Sequence, residues 1–192
     1  IDSRVILNRR RHTSLDPSPL GSFLNQSVKN NKDLHIYILA WDFPLMYLRE
    51  RQWLPRVRFG WNTHRRVHFH LDGEHPVGAS HHQKIVVVDD CIAFCGGLDF
   101  TVRRWDTSEH RVSDDRRKDA EGTPYPPFHD VQIAVNGEAA GAMGDLFRFR
   151  WRMATGRQLP VPPVESKVQW PRGIETDLAV DCPVGIARTL PA

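Results

Sequence analysis

The sequence predicts an α/β fold, and three observations carry that expectation. The aliphatic run Ile85-Val86-Val87-Val88 has the length and β-branched character of a strand buried on both faces. Further short apolar runs lie at 5–7, 36–40 and 131–135. Between the runs, residues 20–28 and 139–151 carry apolar side chains at helical spacing.

Taken in order, Val5-Ile6-Leu7 reads as a short strand, and Ser18-Pro19 as an N-cap followed by a proline at the first helical position. Leu20, Phe23, Leu24 and Val28 form the apolar stripe of a helix ending at Asn30-Asn31. Ile36 to Ala40 is a buried strand delivering Trp41-Asp42 into a loop, where open α/β sheets border their ligand crevice. Residues 43–54 hold a short helix, and Val67, Phe69 and Leu71 alternate as the core face of a further strand. A strand over 83–89 turns at Asp89-Asp90 and returns as Cys91 to Cys95. Residues 103–122, dense in charges of both signs, read as a long exposed loop, or as a mobile wall over a site. Val131, Ile133 and Val135 alternate as the next strand. Asn136 caps a helix with Ala139, Ala140, Met143, Phe147, Arg150 and Trp151 on one face, ended by Gly156. Residues 159–163 are linker-like, and Asp181 to Pro191 reads as the opening strand of something further.

Composition bounds the function. A chain of 192 residues, 40% hydrophobic and 26% charged, is long enough to bury a core. Its net charge of +3, from 26 basic and 23 acidic residues, demands no polyanionic partner. Three cysteines make no disulfide framework. Cys91 and Cys95, on one strand face, read as reduced core residues. That favours a soluble domain, cytoplasmic or membrane-peripheral, with the compartment itself left open. Nothing approaches the roughly 18 to 20 apolar residues of a bilayer span. The start, Ile-Asp-Ser-Arg, is neither a signal peptide nor a natural beginning with Met, so the chain reads as an excised segment.

The chemistry concentrates in Ser80-His81-His82-Gln83-Lys84, four aliphatic residues and Asp89, followed six residues later by Gly96-Gly97-Leu98-Asp99. In an extended strand His82 and Lys84 share a face. An imidazole nitrogen can attack phosphorus while an ammonium beside it holds the oxygens on which charge gathers. The plain alternative for a lone H-x-K is a buried strand with a polar entry and an acidic exit turn. The glycine pair and His129-Asp130 downstream weigh against that.

This pattern, H-x-K, four residues, D, six residues, G-G-x-D, resembles the HKD signature of the phospholipase D superfamily. Trp41-Asp42, Arg104-Trp105-Asp106 and Phe128-His129-Asp130 extend the resemblance over roughly the whole chain, which looks like the N-terminal half of a two-motif enzyme. Asp99 stands where many relatives carry asparagine, and the G-G-x-D version resembles most the phospholipid-cleaving branch. The resemblance implies an α-β-α sandwich around a mixed, largely buried sheet, with residues 1–157 the first HKD domain and 158–192 a linker and the start of a truncated second half.

It also implies roles. His82 is the nucleophile and Lys84 the phosphate-holding cation; Asp130 matches the carboxylate that orients the catalytic histidine. Gly96 and Gly97 can bring backbone N–H groups to a phosphate, and Asp99 lies with them in an undecided role. Odd offsets from His82 and Lys84 aim Asp89 at the opposite face, so it reads as a turn and scaffold carboxylate. His81 faces away from His82, and His129 reads as a residue of packing or of a loop hydrogen bond rather than of chemistry. The implied reaction is a metal-free phosphodiester cleavage through a phosphohistidine, needing no cofactor.

The implied partners are a phospholipid, and a missing second HKD half or a second copy of the chain. Peripheral membrane contact fits this reading, and nucleic acid is the less favoured partner. Two alternatives stay open: a single-HKD homodimeric endonuclease or other phosphodiesterase, and a non-catalytic binding module. Six of the ten histidines fall between 64 and 82, and His68-Phe69-His70-Leu71-Asp72 opens like the H-x-H-x-D-H metal motif. Gly73 stands where the third ligand is required, so these read as solvent-facing histidines on an edge strand rather than zinc ligands.

Overall fold

The computed structural model describes residues 1–7, 18–41, 63–76, 79, 81–119, 121–163, 169–171, 174 and 181–189. The helix expected within 43–54 lies outside them, as do Asp42 and Ser80. The chain has mixed α/β content, with small sheets and two helices among the described residues, divided between two compact units: Ile1–Gly73 with Leu98–Asp130, and Glu74–Gly97 with Val131–Ala192.

In the first unit β1 (Ile6–Leu7) pairs antiparallel with β2 (Ser18–Pro19), and α1 spans Leu20–Asn30. The helix starts one residue later than the sequence suggested. Ser18 is taken up by pairing with Leu7, which leaves Pro19 at the cap position without a side-chain cap. The carbonyls of Val5 and Ser3 substitute for it, accepting the Leu20 and Gly21 N–H groups at 2.7 and 2.9 Å. Leu20 and Val28 are buried, but Phe23 is 46% exposed. An ideal helix sets it about 60° off the Leu20 side, away from Leu24 and Val28.

The far end of α1 is closed by Arg66, whose guanidinium donates to the carbonyls of Val28, Asn31 and Leu34. Those orphan carbonyls prefer a cation. Arg66 also leads into β4 (Val67–Asp72), which lies parallel to β3 (Ile36–Trp41), with Ile36 opposite Val67 and Trp41 opposite Asp72. The histidines of β4 depart from the solvent-facing expectation. The His68 ring stacks on Tyr37 at 4.6 Å and on His35 at 5.5 Å, with His35 Nδ1 3.2 Å from His68 Nε2. Burial, and then the neighbouring His35, push the His68 pKa down and favour the neutral ring.

In the second unit β5 (Ile85–Val88), β6 (Ile92–Gly96) and β7 (Gln132–Asn136) form an antiparallel sheet in that order, followed by α2 (Gly137–Thr155). The β5–β6 turn has Asp89 and Asp90 at φ 47° and 57°, the left-handed values of a primed hairpin turn, closed by Cys91 N–H to Val88 O at 3.0 Å. β5 is therefore shorter than the 83–89 expected, and Cys91 belongs to the turn. Cys91 and Cys95 are free and partly buried.

Ala93, Ala140 and Met143 are the centre of the core, with Ile85, Val87, Cys95, Val135 and Ile186 packed against them. Val131 and Ile133, expected on the core face of β7, are 70% and 54% exposed; in this unit the buried contacts go to Val135 beside them. Gly156 ends α2 in the left-handed region at φ 70°, as its sequence position suggested. The tail over 181–189 contains no strand, and Ile186 packs on the core instead.

Parallel and antiparallel pairings are both present, in separate small sheets among the described residues. Within the described residues no helix is long and apolar enough to cross a membrane.

Candidate active site

His82 and Lys84 lie in the extended segment leading into β5 rather than within the strand. His82 is exposed and Lys84 half-buried. The Lys84 ammonium donates to the His82 carbonyl oxygen at 3.3 Å, so it lies along the His82 backbone. From the return strand, Gly96 N–H donates to the Lys84 carbonyl at 3.4 Å. One end of the hairpin thus carries the histidine, the lysine and the glycine pair together.

Gly96 has a definite steric reason. A Cβ there would stand 2.2 Å from the Val131 carbonyl oxygen and 2.8 Å from Gln132 Cα, so only glycine lets β7 pair at this point. Gly97 N–H donates to the Val131 carbonyl at 3.2 Å. Both amides expected to face a phosphate are engaged by backbone in this structure. Asp89 sits in the turn, five residues or about 16 Å along the strand from Lys84.

That distant turn is anchored to α2. Arg148, 9% exposed, forks onto Asp90 at 2.8 and 3.0 Å and donates to Asp145 at 2.7 Å. The Asp90 carboxylate reaches it by lying against Gly144, where a Cβ would fall 1.9 Å from Asp90 Oδ1. The hydrogen bond to Asp90, together with Asp145, raises the Arg148 pKa and keeps the fork charged. The hairpin that carries His82 is thereby clamped at its other end. Sequence reading missed this clamp; its one visible signal was an arginine beside the apolar face of the helix.

Asp99 and Asp130 belong to the other unit. The Asp99 carbonyl accepts Thr101 N–H at 2.8 Å, and Asp130 is exposed at the end of Phe128-His129-Asp130. That tripeptide is held by Asp106. Asp106 Oδ2 accepts Phe128 N–H at 2.9 Å and His110 Nδ1–H at 3.1 Å, while Oδ1 accepts Thr107 N–H and Arg117 Nη1, each at 2.8 Å. Burial would raise the Asp106 pKa. The four donors overcome it and hold the carboxyl well below its ordinary range.

Arg117, 1% exposed, also donates to the carbonyls of Tyr125, Arg111 and Val112 at 2.9, 2.7 and 2.8 Å. Tyr125 Oη donates to the Trp105 carbonyl at 3.0 Å, and Arg104 lies over the Phe128 ring at 5.1 Å. Among the described residues, 103–122 carry neither helix nor strand and most are exposed, matching the long loop expected, yet the segment is more than solvated. Its charges include a buried pair that organises it. His81 donates from Nε2 to the Glu74 carbonyl at 2.8 Å, and His129 meets His110 edge-on at 5.0 Å.

A histidine and a lysine two residues apart, set on a hairpin whose return strand carries a sterically required glycine, define the chain as an H-x-K protein. It belongs to the phospholipase D family: the family model described as Phospholipase D matches residues 63–179. The chain is similar to Phospholipase D C of Dictyostelium discoideum, at 32% identity over 182 residues, covering 80% of this chain and 11% of that protein. Phospholipase D B of the same organism is 25% identical over 172 residues, covering 73% and 14%. Phospholipase D zeta 1 of Arabidopsis thaliana is 32% identical over 107 residues, covering 42% and 10%. The chain thus spans only 10 to 14% of the length of these relatives.

Proposed function

We propose that this chain supplies one half of the active site of a phospholipase D-type phosphodiesterase that cleaves phospholipid head-group phosphodiester bonds. One observation carries the reading: His82, Lys84 and the Gly96-Gly97 pair gather at one end of a clamped hairpin, in a chain of the phospholipase D family. The curated relatives bearing that name support the substrate class.

The reaction runs in two steps. A ring nitrogen of His82 attacks phosphorus; the P–O bond to the head-group alcohol breaks, and a second histidine protonates the departing oxygen. Water, or another alcohol, then attacks the phosphohistidine while the second histidine takes its proton; the P–N bond breaks, and the product leaves as phosphatidic acid or as the new phosphodiester. Lys84 holds the non-bridging oxygens throughout, and Asp130 orients a catalytic imidazole and stabilises its positive charge. No metal enters either step. The second histidine comes from another H-x-K half, because these 192 residues contain only one. An α-β-α sandwich around a mixed, largely buried sheet belongs to the same reading.

The test is turnover of phosphatidylcholine and of bis(p-nitrophenyl) phosphate by the full-length protein carrying His82→Ala or Lys84→Ala. Both substitutions should abolish cleavage and leave the fold intact, since neither side chain lies in the core. Turnover near wild type for His82→Ala would sink the nucleophile assignment.

A further inference from the structure

We propose that His110 and His129 bind a divalent transition-metal ion of borderline softness, such as Zn2+ or Ni2+, through Nε2 of His110 and a ring nitrogen of His129. Asp106 is buried, paired with Arg117 and fixed by the N–H groups of Thr107 and Phe128. A carboxylate in that state only accepts, so its 3.1 Å contact with His110 Nδ1 places the ring proton on Nδ1. The lone pair of the neutral ring is then on Nε2. A histidine that ligates a metal typically gives its other N–H to a carboxylate in this way, which fixes the tautomer and raises the basicity of the ligating nitrogen.

The second imidazole arrives from another stretch of chain. The rings of His110 and His129 are perpendicular, at 87°, with centroids 5.0 Å apart. Two imidazoles sharing one tetrahedral ion at ordinary Zn–N distances put their centroids about 5 Å apart. His110 also has φ 44°, a left-handed backbone uncommon for a residue other than glycine, and its N–H donates to the Thr107 carbonyl at 3.1 Å. Both residues are exposed, which leaves an ion a path from solvent. Among the described residues no third His, Cys, Asp or Glu joins them, so water completes the coordination. Because Asp130 follows His129 directly, an ion here would also constrain the carboxylate assigned above as orienting. That consequence rests on the proposed function, whereas the binding itself does not.

The test is a ZnCl2 titration of the 15N-labelled chain, followed by long-range 1H–15N correlation of the imidazole nitrogens. His110 Nε2 and one His129 nitrogen should shift together and saturate at about one equivalent, with the His110 Nδ1 proton retained. By calorimetry, His110→Gln and His129→Gln should each weaken Zn2+ binding at least about tenfold, with His75→Gln leaving it unchanged. Binding within twofold of wild type in both variants would overturn the proposal. So would a first equivalent that shifts the resonances of other histidines while those of His110 and His129 stay still. The wild-type titration decides the matter even if a variant fails to fold.

Discussion

Asp106 accepts the backbone N–H of Phe128 at 2.9 Å, so the carboxylate of Arg104-Trp105-Asp106 holds the segment Phe128-His129-Asp130 in place. Its counterion is Arg117, with the two side chains 3% and 1% exposed. Removing one member of a buried pair strands the other without water. Arg117→Ala should therefore cost about 3 to 5 kcal/mol in urea unfolding. The adjacent Arg116, exposed and paired with Asp114, should cost no more than about 1 kcal/mol when replaced by alanine. Equal losses in the two variants would contradict the buried network.

The same segment fixes the acid limit of stability. The pKa of Asp106 is depressed, burial being outweighed by its donors, and that of Asp119 is depressed with burial outweighed by the Thr123 N–H and Arg103. Hydrogen bonds from Arg116 lower Asp114 to about 2. Folded values below the unfolded value of about 3.9 give stability that is complete above that pH and lost as protons bind beneath it. Urea midpoints should be flat from about pH 7 to 5 and fall below about pH 4, less steeply for Asp106→Asn. A midpoint unchanged down to about pH 2.5 would refute the assignment.

What could be read from the sequence was what local chemistry decides. The two-residue turn at Asp89-Asp90, the return strand and the Gly156 stop each follow from residue type and spacing. The N-cap expected at Ser18 failed because a distant strand, β1, claimed Ser18 for pairing. The buried Arg117–Asp106 pair and the Arg148–Asp90 clamp were illegible for a common reason. A charged residue in sequence looks solvated until the partner that lets it be buried is known, and Asp90 and Arg148 are far apart in the chain. His82 and Lys84 could be recognised as a motif, while the Gly96 contact with Val131 needed the third strand.

Two glycines one turn apart on α2 give opposite expectations. A Cβ at Gly141 meets nothing within 4 Å, so Gly141→Ala should gain helix propensity and stabilise by about 0.5 to 1 kcal/mol. At Gly144 the same Cβ would fall 1.9 Å from Asp90 Oδ1 and force the fork on Arg148 apart. That variant should lose about 1 to 3 kcal/mol despite the same propensity gain. Thermal unfolding of the two alanine variants compares them directly, and a stabilised Gly144→Ala would mean the clamp is slack.

The proposed half-site makes the isolated chain nearly inactive. The 192 residues contain a single H-x-K, at His82 and Lys84. One histidine can take the phosphoryl group, but general acid help to the leaving alcohol is worth about 10² to 10⁴ in rate, and an alkoxide depends on it. A monomeric fraction from a sizing column should thus turn over phosphatidylcholine at no more than about one hundredth of the rate of the full-length protein. Supplying a second H-x-K half should restore activity. Robust cleavage by a strictly monomeric fraction would refute the shared site, and activity confined to a dimer that digests plasmid DNA would replace the phospholipid reading with a nuclease one.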